Sequence, residues 1–177
     1  DKITHAHDLD LIERGGETMT IRIGSGIDTH RLIRGEQLVL GGIKIPFEKG
    51  CLAHSDGDCL VHAIIDALFG AIGHKDIGEC FPDTQRKYKN INSMKLLRFA
   101  KGIVEKKKYV IHNIDATIIC EKPKITDYKK HIIKSVADCL DIDIHQLSIK
   151  GKTKEGLDSE GQGFAITAHA VALVGRK

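Results

Sequence analysis

The sequence predicts an α/β protein of the α+β sandwich kind, a mostly four-stranded mixed sheet with helices on one face. Three observations predict it. β-branched runs and helical periodicities follow one another in the order β-β-α-α-β-α-β-β. The helical stretches carry apolar residues at three- and four-residue spacing, so each has one face to bury. A chain of 177 residues, 41% hydrophobic and 29% charged, has the size and composition of one compact domain stable without disulfides.

The elements follow in order. Residues 1–19 are polar and aperiodic and read as an N-terminal extension; residues 20–177 read as the single catalytic domain. Ile21, Ile23 and Ile27 alternate in a strand ending near Asp28. Gln37 to Leu40 is a second strand, followed by Gly41-Gly42 and a turn at Pro46. Asp56 has an N-cap residue type and opens a helix carrying Leu60, Ala63, Ile64, Ala67, Leu68 and Ala71, which Gly73 ends. Residues 74–91, with Gly78, Pro82 and Asp83, form a long loop of the kind that often serves function. Asn92 or Ser93 caps a helix running to about Lys107, and Lys106-Lys107-Lys108 is its exposed end. Val110 to Cys120 is a β-branched strand, Ile125 to Leu140 a third helix, and Leu147 to Lys150 and Ala165 to Val174 are strands.

Composition excludes several functions. A formal charge of +3, with 5% aromatics and no Trp, does not suit a nucleic-acid binder. No run reaches the roughly 20 apolar residues that a membrane span needs. The five cysteines are scattered and never in a CxxC pair, so neither a zinc ribbon nor a disulfide scaffold is expected.

Chemistry concentrates in four segments. Asp28 and His30, two apart on a strand, point to one side, and His62 lies on the following helix. Two histidines and a carboxylate with one open position are the usual protein share of a catalytic zinc site. Asp58 and Asp66, one turn either side of His62, are candidates to hold its second ring nitrogen. The same residues also arise as ordinary surface pairs. Gly24-Ser25-Gly26 is not a dinucleotide motif, because Thr29 takes the third glycine position; it suits close approach to a ligand or a neighbouring chain. His54-Ser55-Asp56-Gly57-Asp58, at a helix N-terminus, either docks a phosphate or simply caps the helix. Lys150 to Gly156 sets Glu155 among lysines and a hydroxyl, which fits either a magnesium ion on phosphates or a solvated charged turn.

Taken together and in order, these segments resemble the 2-C-methyl-D-erythritol 2,4-cyclodiphosphate synthase family of the non-mevalonate isoprenoid pathway, from about Thr20 to Lys177. The similarity rests on Arg22 to His30, His54 to Asp58 with His62-Ala63 and Asp66-Ala67-Leu68, Asp76-Ile77-Gly78 with Phe81-Pro82-Asp83-Thr84, Pro123-Lys124, and Lys152 to Gly156.

The resemblance implies cyclisation of 4-diphosphocytidyl-2-C-methyl-D-erythritol 2-phosphate with release of CMP. It implies zinc on Asp28, His30 and His62, and magnesium or manganese on Glu155 bridging the substrate phosphates. His54 and Thr153 match transition-state-stabilising positions, so His54, Thr153 and Glu155 are the catalytic set. Substrate contacts are implied at Asp28, Thr29, His30, His54, Ser55, Asp76, Ile77, Gly78, Phe81, Pro82, Asp83, Thr84 and Gln85. The cytidine and phosphate pocket is implied at Cys120, Glu121, Lys122, Pro123, Lys124, Ile125, Thr126, Lys152, Thr153, Lys154 and Glu155. The partners implied are a small-molecule cytidine diphosphate substrate and two further copies in a homotrimer with interface active sites, with no nucleic acid and no membrane.

The chain departs from many bacterial members at Asp158-Ser159 and at Gln162, which replaces an arginine lining a trimer-axis cavity that can hold an isoprenoid diphosphate. His169 stands where many carry Glu. These positions and the Lys- and Ile-rich composition resemble plastid members, so an apicoplast-like stroma with the leader absent is expected, with bacterial cytoplasm as the alternative.

Overall fold

The structure, a computed structural model, describes residues 20–176 except 83 and 86–90. The N-terminal extension 1–19 and the predicted contact Asp83 lie outside the described residues. The elements are β1 (Ile21–Arg34), β2 (Leu38–Leu40), β3 (Ile43–Ile45), β4 (Lys49–Cys51), α1 (Cys59–Ala71), α2 (Ile77–Cys80), α3 (Ser93–Lys106), β5 (Tyr109–Ile119), α4 (Lys129–Leu140), β6 (Leu147–Lys152), α5 (Asp158–Gly161) and β7 (Ala165–Arg176). Short 3-10 turns cover Ile125–Asp127 and Ile144–Gln146.

The mixed α+β architecture is as expected, but the main sheet has five strands rather than four. Its order is β4-β1-β7-β5-β6, and only the β5–β6 pair is parallel. The fifth strand is the short β4, which pairs with Leu32, Ile33 and Arg34 at the far end of β1. The strand predicted at 37–40 does not enter the sheet; β2 pairs with β3 in a separate hairpin. Three-residue strands such as β3 and β4 are too short to show a period of two, which is why the sequence pattern missed them.

Strand β1 also runs past the expected stop at Asp28. It pairs with β7 continuously from Ile21 to Arg31, Asp28 facing Ala168 and His30 facing Ile166. Polar residues are tolerated there because the ladder satisfies the backbone while the side chains serve a site.

Along β7, Ile166, Ala168, Ala170, Ala172 and Val174 are buried, as are Ile114, Ala116 and Ile118 of β5. These alternate positions form the floor of the core. Over it lie Leu60, Ile64, Leu68 and Phe69 of α1, Leu97 of α3 and Ile132 and Val136 of α4. The small side chains of β7 let α1 sit close.

The opposite sheet face carries Ile23, Ile27 and Val171, which are 70%, 57% and 45% exposed. Among the described residues, no helix is long and apolar enough to cross a membrane.

The helix predicted to open at Asp56 begins instead at Cys59, capped by Asp58, whose carboxylate accepts from Val61 N at 3.1 Å. The same carboxylate accepts from Gly41 N at 3.0 Å and Gly42 N at 2.7 Å, tying the β2–β3 turn to the helix. Burial pushes its pKa up to about 6 against the pull of these three N–H groups. Asp58→Ala orphans all three donors in a dry site. It is expected to cost about 2–4 kcal/mol, read as a lower urea midpoint at constant m-value.

Helix α4 starts at Lys129 rather than Ile125, since Ile125–Asp127 forms a 3-10 turn. Lys107, on the expected exposed helix end, in fact binds the carbonyls of Ile72 at 3.1 Å and Gly73 at 3.3 Å.

Candidate metal and phosphate site

Positions 24, 26, 28 and 30 of β1 share the face toward α1. A Cβ added to Gly24 would overlap Ala67 O and Ala71 N, and one on Gly26 would overlap Ala63 O. The glycine pair therefore admits the helix backbone, not a ligand or a neighbouring chain as the sequence suggested. Four helix residues rise about 6 Å and two strand residues about 7 Å. Pairing 71/67 with Gly24 and 63 with Gly26 thus carries the next contact to Asp28, where His62 arrives.

His62 Nδ1 lies 2.9 Å from Asp28 Oδ2, His30 Nε2 lies 3.0 Å from the same oxygen, and the two nitrogens are 3.5 Å apart. The edge of a tetrahedron of zinc ligands at ordinary bond lengths is about 3.3 Å. Among the described residues, these three alone form a group able to hold a metal ion. Their separations and their N, N, O donor set fit zinc, with room for one further ligand.

Burial would raise the Asp28 carboxyl, but hydrogen bonds to His30 and His62 hold it well below the usual carboxylate range. Burial lowers the His62 pKa, and the Asp28 contact more than reverses this, so the imidazole sits above its ordinary value.

The other nitrogen of His62 does not meet Asp58 or Asp66. Nε2 is 2.9 Å from Ser93 Oγ and 3.4 Å from Ser55 Oγ. Asp66 instead accepts from Ile77 N at 2.8 Å and so pins α2 beside the site. The sequence places Asp56 in the phosphate-docking or capping segment and Ser93 at a helix start, and it ties neither to His62. Both fell inside capping segments, and the single available signal was a hydroxyl at the start of a helix.

A cavity of ≈ 240 Å³ opens beside the cluster. His30, His54, Ser55, His62, Ile77, Gly78 and Phe81 line it together with Ala53, Ile91 and Leu96. Pro82, Thr84 and Gln85 follow, with Gln85 N donating to Pro82 O at 3.1 Å.

Two predicted contacts stand apart. Thr29 is on the opposite sheet face, its hydroxyl 2.8 Å from that of Thr167. Asp76 caps α2 through Glu79 N at 2.8 Å and lines a second cavity of ≈ 460 Å³ with Asp66, His74 and His169.

The segment Cys120 to Thr126, with Gly151, Lys152 and Thr153, lines a third cavity of ≈ 480 Å³. Glu121 Oε2 is buried there without a hydrogen-bond partner. Burial pushes the Cys120 thiol up to about 11, so it is a protonated wall of the pocket. Thr153 Oγ1 donates to Glu155 Oε1 at 2.6 Å, and Lys154 pairs with Asp158 at 3.3 Å. Within one chain, the metal group and this segment belong to different cavities.

Comparison with known proteins decides the family, because the YgbB family profile matches residues 21–175. The chain belongs to the YgbB family. One relative is the 2-C-methyl-D-erythritol 2,4-cyclodiphosphate synthase of Caldicellulosiruptor bescii, 50% identical over 153 residues, 86% of this chain and 98% of that one. The enzyme of the same name from Bacillus subtilis is 46% identical over 153 residues, covering 86% and 97%.

Among solved structures, the IspF–CDP complex of Plasmodium falciparum superposes with a TM-score of 0.79 at 41% identity, over 89% of this chain and 97% of that one. The bifunctional IspDF of Campylobacter jejuni reaches 0.88 at 34% identity, covering 100% of this chain and 48% of its own. The two curated YgbB relatives are bacterial, and they lend the plastid expectation no support.

Proposed function

We propose that this protein cyclises 4-diphosphocytidyl-2-C-methyl-D-erythritol 2-phosphate to 2-C-methyl-D-erythritol 2,4-cyclodiphosphate, a phosphorus–oxygen lyase reaction that releases CMP. One observation carries the reading. In a YgbB chain whose relatives bear that enzyme's name, Asp28, His30 and His62 converge at ligand distances beside the cavity lined by His54 and Ser55.

An oxygen of the 2-phosphate attacks the β-phosphorus, the bond from that phosphorus to the bridging oxygen breaks, and CMP carries the bridging oxygen away. No water enters and nothing is oxidised. Such a transfer asks the protein for positioning and charge stabilisation rather than a covalent nucleophile. Asp28, His30 and His62 would hold a zinc ion, which when bound would supply Lewis-acid chemistry toward a phosphate oxygen. Glu155 would hold magnesium or manganese, which would supply positive charge to the diphosphate.

The chain's own groups do the rest. His54 and Ser55 line the metal cavity and donate to phosphoryl oxygens. Ile77, Gly78, Phe81 and Pro82 exclude water from one wall. Thr153 donates its hydroxyl hydrogen to the Glu155 carboxylate and so holds it in place, and Lys124, Lys152 and Lys154 add local positive charge. The orphaned Glu121 oxygen offers an acceptor to an exocyclic amine such as that of cytosine.

Separate metal and nucleotide cavities in one chain favour assembly as a homotrimer, in which one copy's nucleotide segment faces the metal of the next. The exposed Ile23, Ile27 and Val171 face supplies an apolar surface for it. Ile23→Asp is expected to yield monomers by light scattering and to lose activity while the metal ligands stay intact; a trimer that survives this change would count against that face. For the setting, bacterial relatives favour the cytoplasm.

The test is CMP release with zinc and magnesium present, with the second product identified by phosphorus NMR. One cyclic diphosphate per CMP is expected. A linear phosphate would mean hydrolysis, and no CMP release by folded protein would refute the reading. Glu155→Gln is expected to keep zinc and slow turnover by about 10²-fold, the size usual for one charge-stabilising group.

A further inference from the structure

We infer that Ser93 and Asp56 form a positioning relay for the metal ligand His62, a role that goes beyond the proposed reaction and rests on the zinc site alone. The directions of its hydrogen bonds are fixed by chemistry. His62 turns Nδ1 toward Asp28 and His30, at 2.9 Å and 3.5 Å, so with a metal held by this group that nitrogen would give its lone pair to the ion. In that metal-bound form the ring proton would sit on Nε2 and be donated to Ser93 Oγ, 2.9 Å away. Ser93 Oγ, having accepted, donates its own hydrogen to Asp56 Oδ1. The second oxygen of Asp56 accepts from Ser93 N at 2.8 Å, so the carboxylate clamps both donors of one residue.

Ser93 is fully buried. In that setting a hydroxyl with one acceptor and one donor partner has a single satisfied orientation, and it selects one imidazole tautomer. A metal-bound histidine ordinarily donates its free N–H to a carboxylate or carbonyl, and losing that partner costs 10–100-fold in affinity. Here the carboxylate acts at one remove, with a serine between.

The relay also joins separate parts of the chain. Asp56 sits in the loop before α1, and its own N–H bonds Ile91 O at 3.2 Å. Ser93 opens α3, directly after the segment whose first residues, Ile77, Gly78 and Phe81, wall the cavity. The orientation of His62 is thereby fixed to both flanks of the cavity rather than to its own helix.

The test is zinc affinity of the metal-stripped protein, measured by competition with a chromophoric chelator, beside its urea stability without metal. Ser93→Ala and Asp56→Asn are each expected to weaken zinc binding by about 10- to 100-fold. The double variant is expected to be no weaker than about the worse single one, as members of one chain are non-additive. Cobalt-substituted Ser93→Ala is expected to show a shifted visible spectrum, because the ring reorients.

Variants that lose urea stability yet bind zinc with wild-type affinity would overturn the relay and leave Ser93 a helix-start residue only. Additive losses would overturn it as well. If Ser93→Ala fails to fold, Asp56→Asn decides alone, by the same affinity measurement. Because the readout is zinc rather than turnover, failure of the cyclisation reading leaves this result intact.

Discussion

His62→Ala is expected to remove stoichiometric zinc and to lower CMP release by at least about 10⁴-fold, the loss typical when a group at the reacting centre is deleted. Among the described residues, His62 is one of the three that converge as a group able to hold a metal ion, and it is the one that the helix delivers to the strand. Without it, Asp28 and His30 remain 3.0 Å apart but cannot close a tetrahedral set. The fold should survive, since the ring packs against a polar cluster and the helix is capped elsewhere, at Asp58. Zinc retained at one per chain, by atomic absorption, would refute the ligand assignment.

The same contact sets a pH dependence. Protons compete with the metal for His62 Nδ1, and Asp28 holds the imidazole pKa above its ordinary value. Zinc affinity should therefore begin to fall at a higher pH than for a free histidine and keep falling as the solution is acidified. A titration of affinity between pH 8 and pH 5.5 checks the sign.

Gly24→Ala and Gly26→Ala are expected to cost about 4 kcal/mol or more each, at the upper end for single substitutions. In both, the new methyl meets helix backbone (Ala67 O and Ala71 N, or Ala63 O), which cannot swing aside as a side chain can. The helix must lift from the sheet, and with it His62 from Asp28. Surviving folded Gly26→Ala protein should accordingly bind zinc more weakly. Gly102→Ala is the control: it lies within α3, and a Cβ there meets nothing within 4 Å. It is expected to stabilise by about 0.5–1 kcal/mol through helix propensity. Equal urea midpoints for Gly26→Ala and Gly102→Ala would mean that α1 does not approach β1 so closely.

The sequence alone determined the helices with strong periodicity, the long strands and the three residues, Asp28, His30 and His62, that the fold brings together as a group able to hold a metal ion. These depend on local rules: apolar spacing along a helix, alternation along a strand, and donor types that suit zinc. Tertiary structure decided what those rules do not reach. The strands of three residues are defined by their pairing and not by a period of two, so β4 joined the sheet at the end of β1 while β2 closed a hairpin with β3. The glycines of β1 are explained by a helix some forty residues away in sequence, packed against them backbone to backbone. Asp58, Asp66 and Asp56 look alike within one acidic stretch; only the fold gives the first to the Gly41-Gly42 turn, the second to Ile77, and the third, through Ser93, to His62. A carboxylate's partner is set by what the packed chain brings within about 3 Å of it, and spacing along one helix carries no record of that.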